Sequence, residues 1–128
     1  MMDFVFLWAL AGLQIKHFVA DYSLQWGSMI ADKPYLNRPG GYIHAAIHIA
    51  GTLPVLLLCG LSLVTVAMLL AFEFVVHFLT DYIKGRHGLV NKADAHTRSY
   101  WIAHGIDQLV HQLTYVIILL FMILELTN

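Results

Sequence analysis

Apolar residues gather along this chain in four blocks: 4–13, 53–61 broken only by Pro54, 63–72 with Thr65, and 116–124. Each block adjoins a stretch where polar side chains recur at intervals of three and four residues, the spacing of one helical face. A helix that crosses a bilayer takes roughly 20 mostly apolar residues, and the pattern predicts four spans, at about 3–25, 42–60, 61–84 and 100–126. The turn Cys59-Gly60-Leu61-Ser62 separates the second from the third. Pro34, Pro39 and the pair Gly40-Gly41 punctuate a loop at 26–41, and residues 85–99, rich in Gly, Asn, Asp, His and basic residues, form the other long connection. The polar stretch lies at the C-terminal end of the first and third spans and at the N-terminal end of the second and fourth. Alternating direction therefore brings all four polar stretches to the same side of the membrane. The predicted fold is all-α, an integral membrane four-helix bundle in a single transmembrane domain over 1–128.

The polar stretches repeat. His17-Phe18-Val19-Ala20-Asp21-Tyr22 returns sixty residues later as His77-Phe78-Leu79-Thr80-Asp81-Tyr82, and His44 and His48 are matched by Asp107 and His111 at an offset of 63. The chain divides on this basis into two tandem two-helix repeats, about 3–60 and 61–126. Both run in the same direction, so their pseudo-twofold axis lies along the membrane normal.

Composition supports lipid as the solvent. The chain is 59% hydrophobic and only 12% charged, against about 25% charged in a soluble domain, and its mean hydropathy is +0.71. The net charge of −1 says nothing about nucleic acid, and no basic patch with interleaved aromatics appears, so no nucleic acid is expected as a partner. All seven Lys/Arg belong to the polar side, which the positive-inside rule makes cytoplasmic. The termini, with Asp3 and Glu125, then face outward from a bacterial inner membrane. The start Met-Met-Asp lacks a positive n-region, so the first apolar run is expected to stay as a helix and not to be cleaved as a signal peptide. Tyr22, Tyr82, Trp26 and Trp101 fall where an aromatic belt is expected. Cys59 is alone, which rules out an intrachain disulfide and suits a buried structural thiol. Gly12, Gly51 and Gly60 suit close helix packing.

The chemistry lies in what the four helices present at the polar end. The first offers Gln14, His17, Asp21 and Gln25; the second His44 and His48; the third Glu73, His77 and Asp81; the fourth His104, Asp107, Gln108 and His111. Ionisable groups at bilayer depth cost a few kcal/mol each, so they pair, bind an ion or line water. Imidazole and carboxylate together suit zinc, manganese, iron or nickel, and helix bundles build such sites from inward His and acidic residues. The candidate ligands are His17, Asp21, His44, His48, His77, Asp81, Asp107 and His111, enough for one or two divalent ions. Glu73 has no counterpart in the first repeat, where Leu13 stands. It is a candidate, with Asp81, for catalysis, either as general base toward a metal-bound water or as a group orienting His77. A salt-bridged plug of Asp and His explains the same residues without a metal, and paired His on facing helices can also ligate haem. Lys84 is placed either to neutralise a phosphate or to snorkel. His104 lies near the interface, and His87 and His96 lie in a loop. No phosphate loop, Gly-x-Ser-x-Gly elbow or His-Glu-x-x-His motif is present.

The run Lys16-His17-Phe18-x-x-Asp21-Tyr22-x-Leu24-Gln25, with His44 and Asp107-Gln108-x-x-His111, resembles the small bacterial and phage membrane proteins grouped as domain of unknown function 3307, over essentially the whole chain. That resemblance implies a multi-span membrane protein and carries no activity with it. His77/Asp81 and His44/His48 are more remotely similar to the His-x-x-x-Asp and His-x-x-x-His pairs of YdjM-like inner-membrane proteins described as metal-dependent hydrolases, whose Pro-Asp-x-Asp-His element is absent here. The expected function is a metal-dependent hydrolase acting on a lipid or other membrane-proximal substrate, with a homo-oligomer as a possible assembly. The alternatives are a proton or ion pathway, for which the outer half offers only Thr52, Ser62, Thr65 and Thr114, and a non-catalytic interaction protein held together by its polar cluster.

Overall fold

A computed structural model describes residues 2–128. Met1 and the side chains of Met2 and Asp3 lie outside the described part, and with them the outward position expected for Asp3. Helix α1 (Met2–Phe18) passes without a break into a π-helical turn (Val19–Ser23). A short helix α2 (Gly27–Asp32) follows, then α3 (Pro39–Leu58), α4 (Leu63–Val90) and α5 (Arg98–Thr127). The described residues contain no strand. Four segments, Phe4–Ser23, Pro39–Leu58, Leu63–Val90 and Arg98–Thr127, are long and apolar enough to cross a membrane. α1 packs on α3, α3 on α4, α4 on α5 and α5 back on α1, which closes the four long helices into a ring.

The bundle is apolar outside and charged within. Phe4, Trp8, Leu58, Leu63, Val64 and Phe121 are exposed, while His44, His48, Glu73, His77, Asp81, Asp107 and His111 are buried. Lipid favours that arrangement, because an apolar surface costs nothing against hydrocarbon and ionisable groups must turn to the bundle interior. An apolar core of Leu13, Leu56, Val66, Leu69, Ile118 and Met122 fills the rest of the interior.

Chain punctuation explains the helix ends. Ser62 caps α4, its hydroxyl accepting from the Thr65 amide at 3.2 Å, and the Glu125 carboxylate of α5 accepts from the Ser62 amide at 2.7 Å. Thr97 caps α5 by accepting from the Tyr100 amide at 3.3 Å. Gly60 has φ +78°, and a Cβ there would meet nothing within 4 Å. Its place in the α3–α4 turn comes from that left-handed backbone, not from close helix packing as expected. Gly12 and Gly51 do sit at a close approach of α1 and α3, where added Cβ atoms would lie 3.2 Å from Val55 and 3.3 Å from Lys16. Burial raises the thiol pKa of Cys59 beside the turn, in keeping with an inert role.

Three boundaries differ from the expectation. α3 begins at Pro39, so Gly40 and Gly41 lie inside its first turn and do not precede it; Pro at the first helical position starts a helix as readily as it breaks one. The 26–41 connection contains α2, which brings Met29 into the core. α4 continues to Val90, well into the expected 85–99 loop. Gly85 is retained in that helix because a Cβ would lie 3.1 Å from the Pro34 nitrogen of the connection packed over it.

Gly40 marks the tightest crossing. A Cβ there would fall 2.8 Å from the Met29 Cα and 2.7 Å from the Asp32 Cβ, both held by α2. Gly40→Ala is expected to destabilise the protein by about 1–3 kcal/mol and to detach α2. Gly12→Ala, which meets only the movable Val55 side chain, should cost less. Thermal unfolding of the two variants in detergent checks the order.

Candidate metal centre

The site begins with the π-helical turn. The Leu24 amide donates to the Val19 carbonyl at 3.0 Å, one residue beyond the α-helical partner, and the widened turn carries Asp21. Such turns recur at functional sites. The second copy of the hexapeptide stays in regular α-helix within α4, so the two sequence copies differ locally. Asp21 Oδ1 lies 3.0 Å from His48 Nε2 and 3.2 Å from His44 Nε2, and its Oδ2 lies 3.2 Å from His17 Nε2.

His44 and His48, one helical turn apart on α3, are completely buried. The His48 ring lies on His77 of α4 at 3.8 Å between centroids, and His77 on His111 of α5 at 4.2 Å. Asp81, one turn beyond His77, places Oδ2 3.4 Å from His77 Nε2, 3.5 Å from His44 Nε2 and 2.8 Å from Lys33 Nζ, with Oδ1 3.8 Å from His111 Nε2. Two groups of potential ligand atoms result, each with every atom within 4.8 Å of the others: Asp21, His44, His48 and His77; and His77, Asp81 and His111. Ligands about 2.0–2.2 Å from a tetrahedral zinc stand about 3.4 Å apart, close to the carboxylate–imidazole separations here.

Six of the eight candidate ligands fall into these groups. The other two have further partners. His17 Nδ1 is 2.9 Å from the Tyr115 hydroxyl and its Nε2 3.2 Å from Gln108 Oε1. Asp107 pairs with Lys84 at 2.9 Å and lies 3.7 Å from His111 Nε2. Glu73 forms an almost fully buried ion pair with Lys16, and Lys16 Nζ also lies 3.4 Å from His48 Nδ1. His104 Nδ1 accepts from Lys84 at 3.0 Å. His96 stays exposed in the α4–α5 connection, where its amide donates to Asp94.

Sequence reasoning missed three contributors. Lys16 enters the sequence reading as a positive charge and as the first residue of the family-like run, although a lysine inside a span calls for a buried partner. Tyr115 stands four residues after His111, a spacing that puts it on the same face. Lys33 carried no signal, because nothing in the pattern revealed the α2 turn that returns it to Asp81.

Charge balance singles out Asp21. Lys16 meets Glu73, Lys33 meets Asp81 and Lys84 meets Asp107, whereas Asp21 meets only histidines among the described residues. With every histidine of the cluster neutral, the centre carries one uncompensated negative charge. Both nitrogens of His44, His77 Nε2, Glu73 Oε2 and Asp107 Oδ1 are buried without a hydrogen-bond partner in the protein. Buried polar atoms are rarely left so, and His44 and His77 both belong to the first ligand group. The arrangement can hold a cation. A cavity of about 500 Å³ reaches it from the polar end and touches Asp81, with Lys33, Lys84, His87, Tyr100 and His104 among its walls.

The profile of a family described as "Protein of unknown function (DUF3307)" matches residues 9–128. No curated protein and no solved structure matches the chain.

Proposed function

The chain belongs to the DUF3307 family, and from the geometry of its histidine–aspartate cluster we propose that it is a membrane-embedded metal protein with hydrolytic chemistry. Asp21, His44, His48 and His77 hold one divalent ion, and His77, Asp81 and His111 offer a second position. The observation that carries the reading is the convergence of buried imidazole and carboxylate atoms from four helices, with His44 Nδ1 and Nε2 and His77 Nε2 left without a hydrogen-bond partner. The absence of thiolate from the cluster favours zinc, manganese or iron. Such an ion supplies an activated water and polarises an ester or phosphoester bond.

The chain's own groups do the rest. Asp81 lies at the wall of the cavity, where it can accept a proton from water. Tyr115 and His17 fix the Asp21 carboxylate from behind, as outer partners fix metal ligands elsewhere. Glu73 acts on His48 through Lys16, which makes it a positioning residue. The basic residues at this end support a cytoplasmic position for the cluster in a bacterial inner membrane, with both termini outside.

One contact supports a metal-free reading. Lys16 can only donate, so at His48 Nδ1 the ring is an acceptor and carries its proton on Nε2, facing Asp21. Asp21 is then satisfied by imidazole N–H groups as a polar plug. Metal binding has to expel that proton. A proton pathway is disfavoured by the apolar core of Leu13, Leu56, Val66, Leu69, Ile118 and Met122, which supplies no relay beyond the cluster.

Elemental analysis of the purified protein decides between these readings. A stoichiometric transition metal, absent from the Asp21→Ala/His44→Ala double variant and kept by His104→Ala, is the expected result. A metal-free protein that stays folded and reloads no zinc, manganese or iron after dialysis would end the metal reading in favour of the plug.

A further inference from the structure

We infer that the substrate of this centre is an anionic phospholipid, which enters sideways between α4 and α5. The inference rests on the hydrolytic reading for its consequence, but the binding site stands on separate geometry. A groove of about 580 Å³ runs between the two helices, walled by Ile83, Ile102, Ile106 and Val110. It is contiguous with the polar cavity that touches Asp81, because Lys84, His87, Ser99 and Ala103 line both. One opening is thus apolar and on the lipid-facing side, and the other is polar and leads to the candidate ligands.

Direction and charge select the occupant. The groove extends from Arg98 at the polar end of α5 to Val110, about 18 Å at 1.5 Å per residue. A lipid of the polar-side leaflet has this orientation, with its headgroup at Arg98 and its chains toward the membrane centre. The junction carries Lys84 and His87, and Arg98 and Lys92 flank it without a carboxylate partner among the described residues. The three acids lining the cavity and the groove are engaged, Asp81 by Lys33, Asp107 by Lys84 and Asp94 by the His96 amide. A phosphate therefore meets basic groups here, and a zwitterionic headgroup gains less. If Asp81 turns to a metal ion, Lys33 is released into the same cavity and adds a further cation. Lys84, which has the length to snorkel, instead stands at the junction, held between Asp107 and His104.

The test measures lipid retention by the detergent-purified protein in native mass spectrometry, with metal content recorded on the same samples. Phosphatidic acid is expected to be retained about tenfold over phosphatidylcholine, the scale of one charge-assisted contact. Ala103→Phe fills the junction of the two cavities and should abolish retention while leaving metal content unchanged. Arg98→Gln/His87→Gln, at exposed positions, should erase the preference for phosphatidic acid. Equal retention of the two lipids, or undiminished retention by a folded Ala103→Phe variant, overturns the inference. Displacement of phosphatidic acid by glycerol phosphate alone also overturns it, because the headgroup would then bind without the groove. Selective retention by a metal-free protein would keep the lipid site and remove the hydrolase; a metal-loaded protein indifferent to lipid would do the reverse.

Discussion

His77→Ala should strip the protein of metal at both positions, while His44→Ala empties only the first and His111→Ala only the second. His77 is the residue common to the two ligand groups, and its ring stacks between His48 and His111. Loss of an outer partner of a metal ligand weakens binding about 10- to 100-fold, and loss of a shared direct ligand should exceed that at each position. Metal per protein, measured across a zinc titration, reads the three variants. Equal, partial losses in all three would mean that the histidines act as one hydrogen-bonded body and not as two coordination groups. Ester or phosphoester hydrolysis should fall with metal content in the same order.

Lys16→Met is expected to be the most destabilising substitution in the bundle. It leaves Glu73, only 1% exposed, as a buried carboxylate without its counter-ion. Breaking a buried pair from one side costs about 3–5 kcal/mol. Lys16→Met/Glu73→Leu removes both charges and should recover most of that loss, since an apolar pair of similar volume often replaces an ion pair at little cost. Unfolding midpoints of Lys16→Met, Glu73→Leu and the double variant give the coupling. A further readout separates positioning from packing: if Lys16 orients His48, the double variant should fold normally yet bind metal more weakly. A double variant as unstable as Lys16→Met would show that Lys16 contributes mainly through contacts other than Glu73, above all its ammonium over the Tyr115 ring.

Much of the fold was legible because lipid imposes a simple rule. Segments of about 20 apolar residues become helices, and their polar ends must come together. The positions of His44, His48, His77, Asp81 and His111 at the interior of the bundle follow from i, i+4 spacing on helices whose other faces are apolar. The less legible parts depend on close approach. Gly40 looks like a loop residue until α2 is seen packed across it, and Gly41 until Phe78 of α4 is seen against it. The 85–99 segment looks like a loop because Gly85 and Gly88 weaken its helical signal, yet α4 runs through both. The π-helical turn at Asp21 has no signature in a hexapeptide whose second copy is plain α-helix.

Residue spacing was enough to settle the all-helical class, the four apolar spans and the end of the bundle at which histidine and aspartate collect, because these depend on periodicity and on the solvent. Partnership was decided only in three dimensions. That His77 joins both ligand groups, that Lys16, Lys33 and Lys84 neutralise Glu73, Asp81 and Asp107 while Asp21 is left to histidines, and that His17 turns to Tyr115 all depend on how four helices rotate against one another. A one-dimensional pattern states which face a residue occupies, but the neighbour across that face is set by packing, since a small axial rotation exchanges one partner within about 4 Å for another.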